Sequence, residues 1–454
     1  MNRSRRWPAA FVLLAGWAAG ACSRGGPGDA AGAHEPADLV RLAIHGGARD
    51  RDASIARLRG MGPAGLAAIL SSSDAEDARR GRLDARPDEL TRAAIDRVAA
   101  QKDALASGLY WHTDFDAAKQ SAAASGRPIL SLRLLGNLDE DLTCANSRFF
   151  RTTLYPDEKI SRVLRERFVL HWRSVRPVPK LTVDYGDGRR LETTITGNSI
   201  HYILLPDGSP IDAMPGLWGS QPFLAELERA EKLAQALVAL PESDRPGLLT
   251  TWHDEQGRAL LDEFDRDLAT AGSYTKVWAP AGPTTDFRDD IIFSTGSFVT
   301  FPDGSKTAVE LPIMGALVPG TQPMRGEIDD ATWSALARLH EDECRLDEHS
   351  RELARTKELR MSVAGENGPR GTTRNLDPLF RKLERSIAED TVRNRYIFQV
   401  QLHRWFADGK VPADVENLNE RVYQDMFHSP TNDEWLGLVP PDTYRALDGA
   451  GIGM

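Results

Sequence analysis

Cys144 has the most chemistry to offer in this chain. It stands in Asp139-Glu140-Asp141-Leu142-Thr143-Cys144, ahead of a helix expected near 142–155. With Asp141 as N-cap, Cys144 falls at the third helical position. The helix N-terminus there favours a thiolate. Asp139, Glu140 and Asp141 oppose it with nearby negative charge, and burial would oppose it further. Two readings follow: a reactive single thiol, acting through mixed disulfides or an external thiol, or a small buried apolar residue. A third is a metal site, because Cys144, His171 and His201 fall in one segment and a Cys/His set suits copper(I) or zinc. His171, however, sits inside the apolar run Phe168-Val169-Leu170-His171-Trp172 and reads as a core histidine. No metal ligand is therefore assigned, and no cofactor is expected. Ser199 and His201 share a strand face without an identifiable acidic partner, so a hydrolytic triad is not supported. The chain contains no CxxC, CxxCH or HExxH motif and no Gly-rich phosphate loop.

The cysteine count is 3: Cys22, Cys144 and Cys344. Cys22 follows a basic opening with Arg3, Arg5 and Arg6, then an apolar run from Pro8 ending Ala19-Gly20-Ala21-Cys22. That run is too short to span a bilayer comfortably. The pattern resembles a bacterial lipoprotein signal. The resemblance implies cleavage before Cys22, lipidation of its thiol, and a membrane-anchored place in the cell envelope, on the periplasmic side or the outer surface. An ordinary cleaved signal or an uncleaved anchor are the alternatives, and all three send the rest of the chain out of the cytoplasm. Nothing in the spacing of Cys144 and Cys344 gives positive support for a disulfide.

A chain of 454 residues is long enough for two or three domains and a large core. The net charge of −10 and the lack of a basic stripe after the signal argue against a nucleic-acid partner. They also argue against adhesion of the protein body to anionic lipid. Residues 1–22 form the signal and 23–36 a Gly/Ala-rich tether. Residues 37–107 carry helical apolar spacing, as in Ile55, Leu58 and Met61. Residues 108–238 read as a small mixed α/β domain. Its expected elements are a helix opened by Thr113-Asp114-Phe115-Asp116, a strand Ile129–Leu135, helices near 142–155 and 157–166, and a strand Phe168–Trp172. A hairpin turn at Tyr185–Gly188, a strand Ser199–Leu205 and a helix near 220–238 complete it. Residues 239–454 read as mainly helical. Short strands are expected around 291–311, a long helix from Asp377-Pro378 to Asp408-Gly409, and another helix capped by Asp414. Trp333, Leu336, His340 and Cys344 share one helical face, and Trp435–Leu438 is too apolar for a free tail.

Several segments of the middle domain follow the order of thioredoxin-like proteins: Ala117-Ala118-Lys119, Gly126-Arg127-Pro128-Ile129-Leu130, Cys144, Arg167-Phe168-Val169 and Leu204-Leu205-Pro206-Asp207-Gly208. The chain also resembles uncharacterised bacterial thioredoxin-family proteins in Cys144–Phe150, Thr194–Tyr202 and Trp435–Leu438. The resemblance implies a thioredoxin-like α/β domain flanked by an N-terminal helical segment and a mainly α C-terminal region. It departs from the family where the chemistry lies. Asp141 replaces the first cysteine of Cys-x-x-Cys, and Ser199 falls where the family has a proline facing the active site. One cysteine cannot form and release an internal disulfide. The resemblance thus implies a degenerate domain with a binding or assembly role, in which Cys144, Asn198, Ser199 and His201 line the edge that receives a peptide or envelope-protein partner. A single-cysteine redox protein using Cys144 and a Cys/His metal-binding protein are the alternatives.

Overall fold

A computed structural model describes residues 35–80, 85–194, 197–271, 330–364, 375–427 and 429–432. Cys22 and its signal, the tether up to residue 34, the strands expected around 291–311 and Trp435–Leu438 lie outside the described residues. The fold is mixed α/β, with a small mixed sheet and helices at both ends.

The N-terminal helices are α1 (Pro36–His45), α2 (Ala48–Gly60), α3 (Pro63–Leu70), α4 (Ser73–Arg79), α5 (Ala85–Ala99) and α6 (Ala104–Ser107). Local chemistry sets their ends. Pro63 opens α3 where its missing N–H costs nothing, and the Ser72 hydroxyl caps α4 by accepting from the Ala75 amide. Leu39, Ile44, Ile55, Leu58, Leu66, Ile69, Ile95 and Val98 make an apolar cluster of their own. Arg59 donates to the Val98 carbonyl within this unit and ties it to the next by donating to the Trp111 carbonyl.

The central elements are α7 (Phe115–Ser125), β1 (Ile129–Leu135), α8 (Ala145–Phe149), α9 (Glu158–Arg167), β2 (Val169–Arg176), β3 (Lys180–Asp184), β4 (Arg190–Thr194), β5 (Ser199–Leu204), β6 (Pro210–Pro215) and α10 (Ser220–Ala239). Asp114 caps α7, and Gly126, at φ 69°, ends it. The main sheet runs β2-β1-β5-β6, with β3–β4 as a separate hairpin. β1 is parallel to β2 and antiparallel to β5, and β5 is antiparallel to β6. Every residue of β1, β5 and β6 is buried, so both faces of the sheet are covered. Register fixes which side chains can meet. Ser131 lies between His171 and Tyr202, and Leu132 between Trp172 and His201. Adjacent strand residues point to opposite faces. His171 and His201 therefore lie on opposite sides of the sheet, and one ion cannot bind both; the Cys144/His171/His201 set is ruled out as a joint site.

The C-terminal elements are α11 (Arg245–Thr270), α12 (Asp330–Leu339), α13 (Glu348–Ala364), α14 (Asp377–Arg393), α15 (Val400–Ala407) and α16 (Val415–Arg421). The long helix expected from Asp377 to Gly409 is broken into α14 and α15 by a π-helical segment, Asn394–Gln399. Asp414 caps α16 through the amides of Glu416 and Asn417. One apolar cluster joins the sheet to Phe398, Leu402, Trp405, Phe406, Leu418, Tyr423 and Phe427. A second gathers Phe264, Trp333, Leu336, Cys344, Phe380 and Ile387.

Candidate functional site

Cys144 does not occupy the third position of its helix. It is the N-cap of α8 and accepts from the Ser147 amide at 3.4 Å. The cause lies one turn earlier. The Cys144 amide and the Thr143 hydroxyl both donate to the Leu135 carbonyl at 3.3 Å, which holds this stretch against the end of β1 and delays the helix. Asp141 caps nothing here; its carboxylate lies 3.4 Å from Lys102 and its carbonyl accepts from Arg151.

The edge around Cys144 is filled by the chain itself. Cys144 has 0% exposure and belongs to the main apolar cluster. Asn146 donates to the Ser199 hydroxyl at 2.9 Å. Asn198 donates to the Ser429 hydroxyl at 2.7 Å, and the Tyr423 hydroxyl donates to the Asn198 carbonyl at 2.9 Å. Cys144, Asn198, Ser199 and His201 are all buried. His201 sits among Phe150, Tyr155 and Phe223, with its Nε2 hydrogen-bonded to the Tyr155 hydroxyl at 2.7 Å. Burial lowers its pKa to about 3, so the ring is neutral near pH 7. Its Nδ1 has no hydrogen-bond partner among the described residues.

The opposite face of the sheet carries a polar stack that hydrophobic patterning did not single out. Arg133, with 1% exposure, donates to Ser131 at 2.6 Å and to Glu416 of α16 at 2.7 Å. Ser131 is hydrogen-bonded to His171 Nδ1 at 2.8 Å. Burial, reinforced by the Arg133 charge, lowers the His171 pKa to about 3. The stack holds α16 on the sheet through a charge-assisted bond.

Among the described residues, two clusters of metal-ligating side chains appear elsewhere: Asp212, His253 and His403, all buried, and Glu263, Asp267 and His340. Neither has a motif spacing. The second is already neutralised from within. His340 bonds Asp267 at 2.7 Å and Glu343 at 3.4 Å, Arg395 bonds Glu263 at 2.8 Å, and the Tyr396 hydroxyl donates to Asp267. The hydrogen bonds to those two carboxylates raise the His340 pKa to about 9, so it serves as the cation of the cluster.

Cys344, the other described thiol, is free and buried in the second apolar cluster, where burial raises its pKa to about 12. No helix among the described residues is long and apolar enough to cross a membrane. Comparison with known proteins finds no matching family model, no matching curated protein and no matching solved structure.

Proposed function

We propose that this chain is a lipid-anchored cell-envelope protein with a degenerate thioredoxin-like domain, serving in protein binding or assembly without dithiol exchange. The observation that carries the reading is the sealing of Cys144. The thiol is the buried N-cap of a helix, and its flanking edge is covered by Tyr423 and Ser429 of the same chain. Thiol–disulfide exchange needs an accessible thiolate and a resolving thiol. Cys344, the only other described cysteine, packs in a separate apolar cluster. The strand pattern supports the thioredoxin-like part. A parallel pair, β1 and β2, is followed by the antiparallel hairpin β5–β6 and a closing helix, with Cys144 at the start of the helix after β1. The anchor rests on the lipoprotein-like run ending at Cys22. A partner that uses Asn198 must first displace Tyr423 and Ser429, and one that uses Ser199 must break its bond from Asn146.

The test is the alkylation rate of Cys144 in the full chain carrying Cys22→Ser and Cys344→Ser, which leaves Cys144 as its one thiol, followed against pH with and without denaturant. Negligible labelling until the protein unfolds is expected. Fast labelling that persists well below the reference thiol pKa of about 8.5 would transfer the lead to a single-cysteine redox protein. Metabolic lipid labelling that is lost in Cys22→Ser checks the anchor.

A further inference from the structure

Asp212, His253 and His403 come from three elements and converge inside the protein. Asp212 is on β6, His253 on α11 and His403 on α15, and none is more than 4% exposed. Each offers one ligand atom within 4.8 Å of the other two. We propose that these three side chains form a binding site for one divalent transition-metal ion of the zinc type.

The hydrogen bonding of the rings carries the argument furthest. His253 Nε2 donates to the Ile211 carbonyl at 2.9 Å. A carbonyl only accepts, so this bond puts the ring proton on Nε2 and leaves a lone pair on Nδ1. An imidazole fixed by a backbone carbonyl through its other nitrogen is the usual outer support of a metal-ligating histidine. Phe406 stacks on the same ring at 4.2 Å and 16°, which fixes its plane. The freed His253 Nδ1 faces His403 Nδ1 at 2.7 Å. Two nitrogens so aimed must share a proton or a metal ion. Metal–nitrogen bonds of about 2.0–2.1 Å at tetrahedral angles set two such nitrogens about 3.3 Å apart. The rings therefore need to part by only about half an ångström.

The third ligand makes the charge argument. Asp212 is buried, and among the described residues its side chain accepts one hydrogen bond, from the amide of its neighbour Ala213 at 2.8 Å. Glu226, also buried, adds a second acidic group nearby, but Arg229 is bonded to Glu226 at 3.1 Å. A buried carboxylate without a cation of its own is costly. It can be neutralised by a proton or by a metal ion. Two imidazoles and one carboxylate are a donor set suited to zinc and its neighbours. The Glu263–Asp267–His340 cluster has no such need, because protonated His340 and Arg395 already balance its carboxylates.

The test uses the untagged full chain, stripped with a chelator and titrated with Zn2+ by calorimetry and with Co2+ by visible absorption. Expected are one equivalent of Zn2+, Co2+ bands of a low-coordinate nitrogen/oxygen site, and a melting temperature raised by Zn2+ and restored by chelator. Loss of an outer-shell support weakens metal affinity 10- to 100-fold, so loss of a ligand in Asp212→Asn or His253→Gln is expected to weaken Zn2+ binding by about 100-fold or more. His340→Gln keeps wild-type affinity. No Zn2+ uptake by the wild type overturns the site. So does undiminished uptake in both Asp212→Asn and His253→Gln, or its loss in His340→Gln. Should the buried-ligand variants fail to fold, the wild-type and His340→Gln melting temperatures decide: a Zn2+-dependent rise in both supports the assignment, and no rise in either overturns it.

Discussion

Cys144 and His201 show how burial redirects side chains with catalytic potential. Ser is a preferred N-cap, and its hydroxyl can accept the Ser147 amide as the thiol does. Cys144→Ser is therefore expected to change stability by no more than about 1 kcal/mol, as read by urea unfolding, while removing all alkylation after unfolding in the Cys22→Ser/Cys344→Ser background. The Tyr155–His201 bond is more sensitive. Both side chains are fully buried, and His201 Nδ1 already lacks a partner among the described residues. Tyr155→Phe would leave Nε2 unpaired as well, at a cost of about 1–3 kcal/mol. The double variant Tyr155→Phe/His201→Leu removes both polar groups, so a double-mutant cycle should find it no less stable than Tyr155→Phe alone. A markedly less stable double variant would mean that the imidazole ring matters for its shape and not for its hydrogen bond.

At the scale of elements, the connection between β6 and α10 docks the C-terminal helices. Gly216 has φ 69°, and the Gly219 amide donates to Thr391 at 2.8 Å. Asn394, at the start of the π-helical segment, donates to the Leu217 carbonyl at 2.6 Å. A Cβ on Gly219 would come 2.3 Å from the Cys344 sulfur and 3.1 Å from its Cα. Gly219→Ala is thus expected to destabilise the protein by about 1–3 kcal/mol through overpacking; an unchanged melting temperature would show that the loop can retreat. Another joint is electrostatic. His340 follows α12 and bonds Asp267 of α11, which raises its pKa from 6.5 to about 9. A pKa raised on folding contributes stability that is fully present below the unfolded value and is lost as pH rises through the folded one. Stability should therefore fall between about pH 6.5 and 9, and His340→Gln should flatten that part of the profile. An identical profile in the variant would remove His340 as its cause.

At the scale of the whole molecule, the sheet shares its apolar cluster with residues from 398 to 427. A fragment ending near residue 240 would expose that side of the sheet. It is expected to lack cooperative thermal unfolding and to bind hydrophobic dye, whereas a well-dispersed NMR spectrum from it would mean the central domain folds alone. Acid stability also belongs to this scale, because it is set by enclosure. Burial lowers His171 and His201 from 6.5 to about 3, with Arg133 beside His171 adding to the effect. Their folded pKa values lie below the unfolded one, so the stability tied to their neutral forms is complete above about 6.5 and is lost as pH falls toward 3. Unfolding at pH 5 should take up protons, and less so in His171→Gln and His201→Gln; equal uptake in all three proteins would assign it to other groups.

What could be read along the chain was local. The Ile129–Leu135 strand, the hairpin turn over Tyr185–Gly188, the helix beginning at Ser220 and the cap at Asp414 all arise from neighbouring residues, through apolar runs, turn glycines and side chains that reach amides two or three positions on, while the capping box expected from Thr113 gives way to Asp114 as the N-cap of α7. Even locally, the bonds from the Thr143 hydroxyl and the Cys144 amide to the Leu135 carbonyl overrode the cap expected at Asp141. The contacts that decide chemistry span the chain. Arg133 meets Glu416 across 283 positions and His253 meets His403 across 150. Such pairs leave no periodicity, because the residues between them only bring the partners together. The residue types capable of chemistry were thus set by the sequence. Whether Cys144 reaches solvent, and which histidines share a site, was decided by tertiary packing, because exposure and convergence depend on what the rest of the chain lays over each side chain.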